Sequence, residues 1–283
     1  MSEKSAVRIT VLAENTAQGE GILGEHGLAI WIEVGGRRVL FDTGQGMALR
    51  HNAEAMGLEL AGADAIVLSH GHYDHVGGLE CMLEEAPGAS LHLHPRATEA
   101  KFSGSGEDDV AHRVSIPFVE WEEFVTKGRR IIVSKKAHEV APGVWATGEI
   151  PRVTDFEDTG GPFFLDEAMT RPDPLLDDQA LFLPLATGLI VIFGCAHAGV
   201  VNTLLRIEEL VGEKMPTRLL LGGLHLLRAS PQRMDETVAA LGARQPERMV
   251  FCHCTGSQAV CRLGREFPDA SVNGHAGMVL EVG

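Results

Sequence analysis

The chain has 283 residues, of which 45% are hydrophobic, enough for a sizeable core in one large domain or two small ones. Its formal charge of −15 argues against a protein that grips nucleic acid through the phosphate backbone. No apolar run is long enough to cross a bilayer, and the polar start Met1-Ser2-Glu3-Lys4-Ser5 is unlike a signal peptide. Five cysteines without disulfide-like spacing fit a reducing, cytoplasmic setting.

Val7–Leu12, Leu28–Val34 and Arg38–Phe41 alternate or run apolar like strands, with Gly35-Gly36 as the turn between the last two. Met47–Met56 reads as a helix. Ala65-Ile66-Val67-Leu68 is a short apolar run bounded by turn signals, which predicts a buried strand. It leads straight into Ser69-His70-Gly71-His72-Tyr73-Asp74-His75-Val76-Gly77-Gly78. Imidazoles and a carboxylate suit Zn²⁺, Fe or Mn. Strand-like alternation would point His70 and His72 one way, leaving Asp74 and His75 to turn toward a second ion.

Leu79–Glu85 reads as a helix stopped by Pro87-Gly88, and Ser90–His94 as a strand ended by Pro95. Strands are expected at Arg130–Val133, Val144–Thr147, Ala180–Leu185 and Leu189–Phe193. Helices Val200–Val211, Pro231–Leu241 and Ser257–Phe267 then alternate with strands Arg218–Leu221 and Met249–Cys252. The pattern is α/β. Residues 102–116 and 149–178 break it, being rich in Gly, Pro, Ser and charge. Loops this long inside a compact domain are commonly functional, so both are expected to be lids over a cleft. Arg152, Phe156, Phe163 and Phe164 are then candidate substrate contacts.

The run His70, His72, Asp74, His75, Gly77, Gly78 matches the H-x-H-x-D-H-x-G-G signature, and the chain resembles the metallo-β-lactamase fold superfamily over residues 7 to 282. The resemblance implies a single-domain four-layer αβ/βα sandwich over residues 1–283, with the two lids as insertions. It implies a supporting role behind the metal site for Asp42 in Val39-Leu40-Phe41-Asp42-Thr43-Gly44. It also implies that Val250-Phe251-Cys252-His253 is the last strand, delivering His253 as a ligand; Cys252 and Cys254 would then alternate away into packing, the favoured reading, or serve as additional thiolate ligands.

Departures from the family pattern follow. Gly194-Cys195-Ala196-His197-Ala198-Gly199 stands where a bridging Asp is usual; His197 is the expected ligand, and Cys195 is either packed, the favoured reading, or a thiolate ligand. Thr147-Gly148-Glu149-Ile150-Pro151-Arg152 lacks the usual His of a third motif; Glu149 would orient a ligand, bind metal weakly or, the default, pair with Arg152. Gly222-Gly223-Leu224-His225-Leu226 ends a strand with two glycines that would let backbone approach a ligand. His225 is read as a substrate-facing acid/base, a metal ligand or a structural residue. His26, His51, His92, His94, His112, His138 and His275 are left structural. As a set, G-C-x-H-A-G, G-G-L-H-L and H-C-T-G resemble the branch of 7,8-dihydropterin-6-methyl-4-(β-D-ribofuranosyl)-aminobenzene-5′-phosphate synthase-like proteins.

The expected activity is metal-dependent hydrolysis of a small phosphoester, lactone or related molecule. One or two ions, zinc first and Mn or Fe as alternatives, would be held by His70, His72, Asp74, His75, His197 and His253. A bound hydroxide would attack, Asp74 would take up a proton and His225 would protonate the leaving group or hold substrate. The alternatives are a pterin–ribosylaminobenzene phosphate condensing enzyme, a redox di-iron centre (against which the missing bridging Asp weighs), and a non-catalytic metal-binding or sensor protein.

Overall fold

The computed structural model describes residues 6–105, 110–115 and 129–283. Two seven-stranded sheets dominate it. The first runs, in spatial order, Val279–Val282, Val7–Ala13, Ala29–Val34, Arg37–Phe41, Ala65–Val67, Ser90–Leu93 and Ile131–Val133. The second runs Ser271–Asn273, Met249–Cys252, Thr217–Gly223, Gly188–Phe193, Ala180–Leu185, Val144–Ala146 and His138–Ala141.

Alternate residues of these strands divide between two environments, as a pleated strand requires. Ile9, Ile30, Val39 and Val67 of the first sheet pack with Leu181, Ile190, Leu219 and Val250 of the second in one buried cluster. The opposite face of the first sheet, through Leu12, Trp31, Leu40 and Ile66, meets Leu49 and Ala53 of helix Ala48–Ala55 and Met82 of helix Leu79–Glu85. That of the second, through Phe182, Val191, Leu220 and Phe251, meets Leu204 of helix Val200–Val211, Leu241 of helix Pro231–Arg244 and Leu263 of helix Ser257–Glu266. The result is helix, sheet, sheet, helix: the four-layer sandwich.

Several short strands carry little sequence signal. Ser271–Asn273 and His138–Ala141 are half-exposed sheet edges, where neither face demands continuous apolar residues. The polar segments are not structureless. Phe102–Ser105 pairs antiparallel with both Val110–Arg113 and Phe163–Phe164, so the two expected lids form one small three-stranded sheet. Residues 106–109 and 116 of the first expected lid lie outside the described residues.

What the fold does for function is align strand ends. Arg37–Phe41, Ala65–Val67 and Ser90–Leu93 run parallel, as do Gly188–Phe193, Thr217–Gly223 and Met249–Cys252. Loops carrying Asp42, His70, His197, His225 and His253 leave the carboxyl ends of these strands, where α/β sheets collect ligands.

Candidate metal centre

Asp42, Ala196, His225 and His253 all have left-handed backbone, with φ of 60°, 52°, 45° and 50°. For residues with a side chain this is uncommon, and it turns the chain sharply at each strand end. The turns aim side chains of both sheets into one space.

There, Nε2 of His70 lies 3.0 Å from Nδ1 of His72. Together with His197, their ligand atoms lie within 4.8 Å of one another. His197 Nδ1 donates to the Thr159 carbonyl at 2.8 Å, which leaves Nε2 as a bare acceptor, buried and without a hydrogen-bond partner among the described residues. Burial holds His70 and His197 well below the usual imidazole range and His72 down to about 3, so all three stand neutral. Neutral imidazoles with free nitrogens are what a cation needs.

A second set adjoins the first. His75 Nε2 lies 3.3 Å from His253 Nε2 and 3.1 Å from Cys195 Sγ, while Asp74 Oδ2 is 3.1 Å from His253 Nε2. Burial would lower His75, but the carboxylates of Asp42 and Asp74 outweigh it and hold the ring up to about 9. Burial opposes ionisation of Asp74, yet His75 and His253 keep its pKa far below the usual carboxylate range. His253 is braced from behind by Asn15 Oδ1, 2.8 Å from Nδ1, and its backbone N–H donates to Glu14. Asp42 accepts from the Ser69 backbone and hydroxyl at 2.6 and 2.7 Å, and its Oδ2 lies 2.7 Å from His75 Nδ1.

A tetrahedral ion with ligands at about 2.0–2.1 Å keeps their donor atoms roughly 3.3 Å apart. The spacings of 3.0 to 3.3 Å match that, and the unpartnered His197 Nε2 marks where a ligand is wanted. The residues fit metal.

The cysteines depart from expectation. Cys195 is buried, but its sulfur faces His75 and lies 3.2 Å from Cys254 Sγ. Cys254 was expected to alternate away from His253; the left-handed turn at His253 carries it back toward the site, and Cys195, His253 and Cys254 form a third possible ligand group. Burial raises the Cys195 thiol; it also opposes ionisation of Cys254, but the shared hydrogen bond and nearby imidazoles outweigh it there. Cys252 packs in the core between the sheets, as expected.

Other assignments also change. The Gly222-Gly223 pair serves close packing: a Cβ on Gly222 would lie 2.1 Å from the Phe193 carbonyl oxygen, and one on Gly223 2.7 Å from Cys254 Sγ. Glu149 does not pair with Arg152; its carboxylate lies 3.4 Å from His94 Nε2. Arg152 is committed to the carbonyls of His197 and Pro174, at 2.7 and 2.6 Å. Phe163 reaches the site, its ring centroid 4.9 Å from that of His72, 5.2 Å from His197 and 6.2 Å from His225. Phe156 and Phe164 make no ring contact with these histidines among the described residues; Phe164, next along the strand, faces the other side. His225 lies beside His197, ring centroids 4.3 Å apart, with Nδ1 buried and without a hydrogen-bond partner among the described residues.

Some participants gave no sequence signal. His26 Nδ1 approaches Asp74 at 3.8 Å. Buried Lys101 donates to Asp173 and Asp177 at 2.9 Å each, and Asp177 also accepts from the Gly71 backbone within the metal loop.

The sequence model of the metallo-beta-lactamase superfamily matches residues 23–201. The chain belongs to this superfamily. Among curated proteins, this superfamily member is 28% identical to the 7,8-dihydropterin-6-methyl-4-(beta-D-ribofuranosyl)-aminobenzene-5′-phosphate synthase of Methanocaldococcus jannaschii, covering 97% of this chain and 96% of that one. It is also 28% identical to an uncharacterised protein of the same organism, over 97% and 100% of the two chains. Among solved structures, Tm1679, a metal-dependent hydrolase of the beta-lactamase superfamily, superposes with a TM-score of 0.81 at 30% identity, over 98% and 99% of the chains. Zn²⁺-bound PqqB from Methylobacterium extorquens, at 16% identity, covers 97% and 100% with a TM-score of 0.58, a likeness of fold. Among the described residues, no helix is long and apolar enough to cross a membrane.

Proposed function

We propose that the protein is a metal-dependent hydrolase acting on a small phosphoester, lactone or related substrate. The observation that carries this reading is the convergence of His70, His72 and His197 beside Asp74, His75 and His253. Held by these residues, one or two divalent ions would supply Lewis acidity and would make water a nucleophile near neutral pH. Zinc is the proposed ion, because imidazole, carboxylate and thiolate together suit it, with Mn or Fe as alternatives.

The chain's own groups set the rest. Asp74, held ionised, suits a ligand and is a weak proton acceptor. Burial lowers His225, so at neutral pH it stands uncharged, which suits holding substrate, one of the two roles expected from sequence. Phe163 walls the histidines on one side and excludes water there. The three-stranded sheet that carries it is proposed as the lid.

Elemental analysis of protein purified without added metal tests this reading. About two ions per chain, lost in part in both His197→Ala and His253→Ala, is the expected result. Content indifferent to both changes would overturn it and favour a non-catalytic role.

A second reading is a pterin–ribosylaminobenzene phosphate condensing enzyme, supported by the 28% identity to the synthase across 97% of this chain. Pyrophosphate release from a pterin donor, without turnover of simple phosphoesters or lactones, would favour it.

A further inference from the structure

The loop Asp158-Thr159-Gly160 touches three functional side chains in succession. Asp158 Oδ1 accepts from Arg233 Nη1 at 2.6 Å, the Thr159 carbonyl accepts from His197 Nδ1, and Gly160 lies so close to His225 that a Cβ would stand 2.0 Å from Nδ1. Arg233 is therefore tied to the metal-site histidines by three consecutive residues.

Its environment is unusual. Arg233 sits in the first turn of helix Pro231–Arg244, behind the Ser230 cap, and is 1% exposed. Asp158 satisfies one nitrogen, yet Nε and Nη2, the two donors of the guanidinium's side edge, are buried and have no partner among the described residues. Leaving charged donors buried and unpaired costs stability, so such a group implies an acceptor supplied from outside. That edge is the fork that takes two oxygens of a carboxylate or phosphate side by side. The charge of Arg233 also bears on His225, placing the two within electrostatic reach. The Asp158 side chain is 68% exposed, and its Oδ1 also accepts from the Gly160 backbone at 2.7 Å, so it anchors Nη1 and leaves the side edge uncovered.

We propose that Arg233 is an anion-binding residue whose side edge fixes a non-reacting phosphate or carboxylate of the substrate beside the metal centre, with Asp158 orienting the guanidinium through Nη1. This rests on the hydrolase reading only for the neighbouring site. It narrows the substrate to molecules with an anionic group besides the reacting one, and it moves the cationic contact expected at Arg152 to Arg233.

Titration calorimetry with inorganic phosphate, and with acetate as a second probe, tests the proposal on metal-loaded and on chelator-stripped protein. In stripped protein, Asp158→Asn is expected to tighten phosphate binding by roughly three- to tenfold, since the negative charge that neutralises the guanidinium and repels an incoming anion is gone. Arg233→Lys, which keeps the charge but loses the fork, is expected to weaken it by roughly tenfold. Phosphate affinity unchanged by either variant would overturn the proposal. Acetate binding as tightly as phosphate would assign a carboxylate, and phosphate alone a phosphate. Metal content measured on the same samples keeps the two readings apart: an anion site without metal sinks the hydrolase reading alone, and metal with an indifferent Arg233 sinks this one alone.

Discussion

The Oδ2 of Asp42 lies 2.7 Å from Nδ1 of His75, with both side chains fully buried. The contact fixes the imidazole so that Nε2 faces His253 and Cys195. Ser69 adds two donors to the same carboxylate, and its hydroxyl lies 2.8 Å from His70 Nδ1. One buried carboxylate thus orients histidines of both ligand sets.

Asp42→Asn should therefore weaken metal binding by about 10- to 100-fold, the usual consequence of losing the group behind a ligand histidine. Competition with a chromogenic chelator measures it, and circular dichroism checks that the fold survives.

His197→Ala should lower metal content while leaving the fold intact, because His197 Nε2 has no hydrogen bond to lose among the described residues. Its Nδ1 bond to Thr159 is the cost, about 1 kcal/mol of stability in a denaturant titration.

Lys101→Met should destabilise the protein strongly. Lys101, Asp173 and Asp177 have fully buried side chains, and removing the lysine leaves two carboxylates without their counter-charge. A loss of about 3–5 kcal/mol is expected from equilibrium unfolding. Because Asp177 also holds the Gly71 N–H, metal affinity should fall in the same variant.

Stability should decline as pH falls from about 6.5 to about 4, in part through His92. Burial first, then neighbouring His138 and Arg130, lower its pKa from 6.5 to about 4. In that window the unfolded chain binds a proton that the folded chain refuses, so the contribution is whole above 6.5 and lost toward 4. Urea midpoints measured between pH 7.5 and 4.5 should show a shallower slope for His92→Gln than for the parent chain.

Much of the centre was legible locally. His70, His72, Asp74 and His75 occupy six positions after one apolar strand, and their spacing alone brings them together. Asp42 and His197 also follow apolar strands directly. The edge strands were not legible, since half-exposed segments such as Ser271–Asn273 carry no periodic signal.

By itself the sequence determined the α/β order and the strand-end placement of the candidate ligands, because strand periodicity and residue spacing are short-range properties. Only the tertiary structure decided that Cys254 turns back to meet Cys195, that Lys101 bonds Asp173 and Asp177, and that Arg152 is spent on carbonyls while Arg233 keeps an unpaired edge. Each depends on a left-handed turn or on residues far apart in the chain. Which partner a buried charge finds is set by how the layers close around it, and no local pattern encodes that distance.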